Sequence, residues 1–101
     1  MVIYEVNLKV DPSIKDQYYA WLTKHRQDMR TIKGFTQSKV FFESQTNTYV
    51  VHYYVKSIQD LENYLNTSAS VLRQEAIDLF GNKFSAHRRS LNILEDSNEA
   101  H

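Results

Sequence analysis

The stretch that most constrains this chain is Thr48–Lys56, where Tyr49, Val51, Tyr53 and Val55 alternate with Val50, His52 and Tyr54. Both sides of such a strand are apolar, so it belongs in the middle of a sheet that has something packed on each face. Val2–Val10 is a second strand, with Val2, Tyr4, Val6, Leu8 and Val10 on one side and Ile3, Glu5, Asn7 and Lys9 on the other. Asp11 then offers a capping oxygen, and Pro12 suits the first helical position. Ile14, Tyr18, Trp21, Leu22, His25, Met29 and Ile32 recur at helical spacing, which predicts one helix from Pro12 to about Ile32. Gly34 is placed to stop it, Phe35–Glu43 reads as a strand, and Ser44–Asn47 makes a polar turn.

Beyond the Thr48 strand, Ser57 with Asp60 loosely resembles a capping box, and Ile58, Leu61 and Leu65 are expected to form the inner stripe of a helix. Asn66–Ser68 break that helix, and a further segment carries Val71, Leu72, Ala76, Leu79 and Phe80 before Gly81. Phe84–Leu94 is the last strand, and its alternation shifts phase between Arg88 and Leu91, which predicts a bulge there.

The order βαββαβ is the α+β pattern that closes as a ferredoxin-like antiparallel sheet with the helices on one face. Residues 1–94 are expected to form this single domain, and residues 95–101 a polar flexible tail. The second sheet face then exposes Ile3, Phe41, Val50, Tyr54 and Leu91. A domain of about 100 residues buries only a little over roughly 60% of its unfolded surface, so leaving these side chains in water is expensive. We therefore expect a homodimer whose sheets mate face to face, a dimeric α+β barrel.

Composition removes several functions. Twelve Lys plus Arg balance twelve Asp plus Glu, so no basic field holds nucleic acid or anionic lipid. The order of elements is shared with RNA-recognition domains, but the Tyr49–Lys56 strand lacks their glycines, and no RNA binding is expected. With no Cys there is neither a disulfide framework nor a thiolate site. No signal peptide and no membrane span is expected, and the protein reads as cytoplasmic. The two glycines cannot build a phosphate cradle, and there is no dinucleotide fingerprint, HExxH or serine elbow.

Chemistry is left with two places. Between sheet and helices, Tyr4 and Tyr53 face Tyr18, Trp21, His25 and Met29, and Arg88 joins them if Phe84 and Ala86 point inward. One reading makes this ordinary core, with Arg88 pairing with Glu75 or a helix carbonyl and His25 a satisfied boundary residue. The other makes it a small-molecule pocket in which His25 and Arg88 orient an anion or phenolate, with His25 as the candidate base. On the open sheet face Glu5, Asn7, His52, His87 and Arg89 are expected to meet symmetry mates; the histidines lack metal-motif spacing, so no metal site is assigned.

The segment Leu72-Arg73-Gln74-Glu75-Ala76 followed by Leu79-Phe80-Gly81-Asn82-Lys83-Phe84, with Ala86 and Arg88, resembles an uncharacterised bacterial family of about 100 residues filed as a domain of unknown function. Ile3–Val6, Trp21-Leu22 with His25 and Met29, and Tyr49–Tyr53 extend the likeness over nearly the whole chain. Ser70, His52 and His87 depart from that pattern, and Trp21 stands closer to His25 than it does in the family. The resemblance implies a fold similar to dimeric α+β barrels such as antibiotic-biosynthesis-type monooxygenases and haem-degrading enzymes, with a pocket between sheet and helices. It carries over Tyr4, His25, Arg73, Glu75, Lys83 and Arg88 as candidates and names no substrate.

Two functions follow as expectations. One is a non-catalytic homodimer that binds a small metabolite or a partner protein, with Tyr4, Tyr18, Trp21, His25, Tyr53 and Arg88 as ligand-binding residues and no cofactor. The other is a small monooxygenase or isomerase acting on an aromatic or conjugated acid through His25, a haem variant of which would use His25 as axial ligand.

Overall fold

The computed structural model describes residues 1–95; the part of the expected tail beyond Glu95 lies outside the described residues. The elements run β1 (Val2–Val10), a single 3-10 turn (Pro12–Ile14), α1 (Lys15–Met29), β2 (Phe35–Glu43), β3 (Thr48–Val55), α2 (Ile58–Thr67), α3 (Ala69–Phe80) and β4 (Phe84–Asn92). They build one antiparallel sheet in the order β2-β3-β1-β4. β3 and β1 therefore hold the two central positions, β3 as its two-sided apolar run requires. This is the ferredoxin-like α+β arrangement.

Local chemistry accounts for the boundaries. The Asp11 carboxylate accepts from the Ser13 N–H at 2.8 Å, and Pro12 begins the first turn. That turn is 3-10, and α1 proper starts at Lys15 and ends at Met29, three residues short of the expected Ile32. Thr31 and Ile32 donate instead to the Asp28 and Met29 carbonyls in tight turns. Gly34 follows with φ +88°, and a Cβ there would collide with the Asp60 side chain, so only glycine fits between the end of α1 and the start of α2. Ser57 Oγ accepts from the Asp60 N–H at 3.1 Å and caps α2. Gly81, φ +59°, caps α3 and returns the chain into β4.

The core lies on one side of the sheet. Val2, Tyr4, Val6, Leu8 and Val10 of β1 and Tyr49, Val51, Tyr53 and Val55 of β3 are buried against Tyr18, Leu22 and Met29 of α1 and Leu61, Tyr64 and Ala69 of the later helices. Two expectations need correction. The inner stripe of α2 is Leu61 and Tyr64, whereas Ile58 and Leu65 are exposed, because the helix seats its largest ring on the sheet. The bulge is absent from β4, whose pairing with β1 is unbroken from Val10↔Phe84 to Val2↔Asn92. It sits in β2 between Phe35 and Gln37. The phase change in β4 is a change of environment: Arg88 and Ser90 keep the helix-side register of Phe84 and Ala86 but are exposed.

Candidate functional site

Between α1, α3 and the β1–β4 side of the sheet lies a half-open cavity of about 270 Å³. Tyr4, Tyr18, Trp21, His25, Tyr53 and Arg88, the residues singled out from the sequence, all line it. Period-two alternation sends Tyr4, Tyr53 and Arg88 to this side of the sheet, and helical spacing puts Tyr18, Trp21 and His25 on the facing stripe of α1. Tyr64, Leu72, Arg73, Ala76 and Phe84 complete the walls. Arg88 is exposed as well as lining, so it stands at the mouth beside Ile77 and Ser85.

The walls are mostly aromatic rings in tilted or edge contact. Tyr18 lies 5.2 Å from Phe84 and 5.1 Å from Phe80, and Tyr4 lies 6.1 Å from Tyr53 and 6.0 Å from Tyr64, centroid to centroid. His25 is stacked on Trp21 at 4.7 Å and an interplanar angle of 11°. This stacking sets the plane of the imidazole parallel to the indole.

Electrostatics inside are those of a positively biased pocket. Burial lowers the His25 pKa to about 4, opposed by Asp28 and reinforced by Arg88, so the ring is neutral at physiological pH. Burial also pushes the hydroxyls of Tyr18 and Tyr53 well above the usual phenol range and that of Tyr64 up to about 12. The phenols are therefore neutral. Arg73 donates from Nη2 to the Tyr4 hydroxyl at 3.0 Å, and its Nε is buried without a partner. An unpaired buried donor costs about 1–3 kcal/mol, more when it belongs to a charged group. The expected pairing of Arg88 with Glu75 or a helix carbonyl is not formed: among the described residues Arg88 makes no ion pair or side-chain hydrogen bond. Glu75 and Lys83, carried over from the resemblance, are exposed and do not line the cavity.

The second place is organised differently. On the open sheet face Glu5, only 6% exposed, accepts from Arg89 Nε at 2.5 Å and Asn7 Nδ2 at 3.1 Å and lies 2.9 Å from His52 Nε2. The Arg89 hydrogen bond, with smaller help from His52 and Asn7 against the cost of burial, holds the Glu5 carboxyl at a pKa of about 2. This is a self-satisfied network inside one chain, which His87 does not join. Among the described residues no three His, Cys, Asp or Glu side chains converge as a metal site would require.

Sequence reading missed Tyr64 altogether and reached Arg73 only through the resemblance. The signal for Tyr64 is its spacing of three from Leu61, which an aliphatic stripe of Ile58, Leu61 and Leu65 leaves out.

Comparison with known proteins agrees with this architecture. The pattern of a family described as "Domain of unknown function (DUF4286)" matches residues 1–94, and the chain belongs to that family. No curated protein matches the chain. Among solved structures, a candidate antibiotic biosynthesis monooxygenase from Deinococcus radiodurans superposes with a TM-score of 0.80 at 16% identity, covering 100% of both chains. Rv0793 from Mycobacterium tuberculosis superposes with a TM-score of 0.72 at 11% identity, over 97% of this chain and 100% of the other. At such identities the likeness is one of fold. No helix among the described residues is long and apolar enough to cross a membrane.

Proposed function

We propose that this DUF4286 member is a homodimer, paired through its open sheet face, that holds a small metabolite in the cavity without transforming it. The observation that carries this reading is the cavity itself. A half-open pocket of about 270 Å³ reaches from exposed Arg88 and Ser85 in to the buried rings of Tyr4, Tyr18 and Tyr53 in a chain of 101 residues, a concavity of the kind that receives small ligands. Tyr4, Tyr18, Trp21, His25, Tyr53 and Arg88 are its binding residues. A neutral imidazole with a pKa of about 4 favours holding over proton transfer, because a general base works best when its pKa is near the working pH. Pairing is supported by Phe41, 46% exposed, and by the partly exposed Ile3, Val50, Tyr54 and Leu91 on the same face. A two-fold axis there makes the patch complementary to itself. The cytoplasmic location expected from the sequence belongs to the same reading.

Native mass spectrometry, sprayed gently and then under denaturing conditions, tests both halves. A dimer that carries a reproducible extra mass, released on denaturation, is the expected result. A monomer at micromolar concentration overturns the pairing, and steady-state conversion of the released compound overturns the non-catalytic half.

A second reading, a small monooxygenase or isomerase acting through His25 on an aromatic or conjugated acid, is favoured by the neighbour described as a candidate monooxygenase. On that reading His25→Ala or Arg88→Ala abolishes turnover while the melting temperature stays within a few degrees. Loss of folding in both returns the two residues to a structural role.

A further inference from the structure

Taking the cavity as a binding site, we propose that its ligand is a planar aromatic carboxylate of one or two fused rings, with the acid group drawn to Arg73 and Arg88. The reading rests on a mismatch of charge. Two guanidinium groups line the cavity, and no Asp or Glu does. Among the described residues neither Arg73 nor Arg88 makes an ion pair. Arginine stays charged at any pH a protein meets, so this part of the molecule carries positive charge that no carboxylate among the described residues neutralises.

The chain meets the same requirement elsewhere. Arg89, next to Arg88 in sequence but on the opposite sheet face, holds the Glu5 carboxylate at 2.5 Å. Arg73 uses Nη2 on the Tyr4 hydroxyl, and its buried Nε has no partner among the described residues. The charge of Arg73 acts on Tyr64 and that of Arg88 on Tyr64, Tyr18 and His25, so positive potential extends through the cavity both arginines line. A carboxylate from outside supplies the missing anion, and guanidinium recognises that group with particular strength through charge-assisted hydrogen bonds.

Size and wall chemistry set the remainder of the ligand. Trp21, Tyr18, Tyr53 and Phe84 supply mostly ring surface to the walls, so a flat apolar body suits them. At about 270 Å³ the space exceeds the roughly 150 Å³ that admits one benzene and falls near the lower limit of ordinary ligand pockets. The Tyr18, Tyr53 and Tyr64 hydroxyls make no hydrogen bond among the described residues and are available to a ring substituent.

Isothermal titration with 2-naphthoate and its equally shaped neutral carboxamide tests the assignment. Wild type should bind the acid about tenfold or more tightly than the amide, and Arg73→Gln should erase that preference while changing amide affinity by less than about twofold. Arg88→Gln should reduce the preference less, since its group is at the exposed mouth. Equal binding of acid and amide to wild type overturns the charge assignment and leaves the binding cavity standing. An acid preference undiminished in Arg73→Gln overturns the role of Arg73. Binding of neither compound overturns the aromatic acid, while the retained mass on the purified protein still decides whether the cavity binds anything.

Discussion

The two faces of this sheet hold similar ingredients and arrange them in opposite ways. On the open face Glu5 meets His52, Asn7 and Arg89, so an anion and its donors are already matched within the chain. On the helix face Arg73, Arg88 and His25 gather around neutral phenols with no carboxylate lining the space. Neighbouring residues Arg88 and Arg89 show how little separates the outcomes: strand alternation sends one to the cavity mouth and the other to Glu5. A face whose charges are matched within the chain is suited to pairing, and one left unmatched is suited to a visitor.

The comparison breaks first if the helix face is not the source of stability. Leu22→Ala removes a fully buried side chain of α1 and should cost about 2–5 kcal/mol, lowering the melting temperature by roughly 10 °C or more at every protein concentration. Phe41→Asp, on the open face, should instead abolish the dimer and leave the monomer folded; sedimentation and thermal melts distinguish the two.

Acid sharpens the contrast, because each face loses stability in its own pH window. His25 has a folded pKa near 4 against an ordinary 6.5. The unfolded chain therefore binds the proton first, and stability should fall by up to about 3 kcal/mol as pH drops through that interval. His25→Phe should flatten this part of a denaturation-versus-pH curve. Glu5 has a folded pKa near 2 against 4.5, so its contribution is complete above pH 4.5 and is lost as pH falls towards 2. Since the Arg89 side chain is 65% exposed, the loss is screened to about 1–2 kcal/mol, and Glu5→Gln should remove it. The smallest effect concerns the cover over the helix face. Ser57→Ala should cost about 1 kcal/mol by uncapping α2, whereas Ser68→Ala, at an α3 start with no side-chain cap, should cost a few tenths. Urea titration resolves the pair.

What was legible in the sequence was whatever a single period could carry. Alternation in β1, β3 and β4 and the spacing of Tyr18, Trp21, Leu22, His25 and Met29 placed the sheet, the covering helix and six cavity residues. What escaped depended on how elements lean on one another. Tyr64 displaced Ile58 and Leu65 because a large ring over the sheet buries more surface than either aliphatic residue at the margin of the stripe. The extra residue in β2 is Thr36, whose side chain has no hydrophobic signature to betray a bulge; in β4 the polar run of Arg88 to Ser90 imitated one. A partner for Arg88 was looked for in Glu75, which needs α3 to present that residue inward, and α3 turns Leu72, Arg73 and Ala76 to the cavity instead. Whether side chains fill a space or leave it open is a matter of volumes in three dimensions, on which periodicity is silent.

The stack of Trp21 on His25 has one practical consequence. Trp21 is the chain's sole tryptophan, and it lines the cavity in contact with the ring whose protonation belongs to the helix face. Its intrinsic fluorescence is therefore an unlabelled optical gauge of that space: quenching near pH 4 would report the imidazole acquiring charge, and a shift in emission at neutral pH would report a guest arriving.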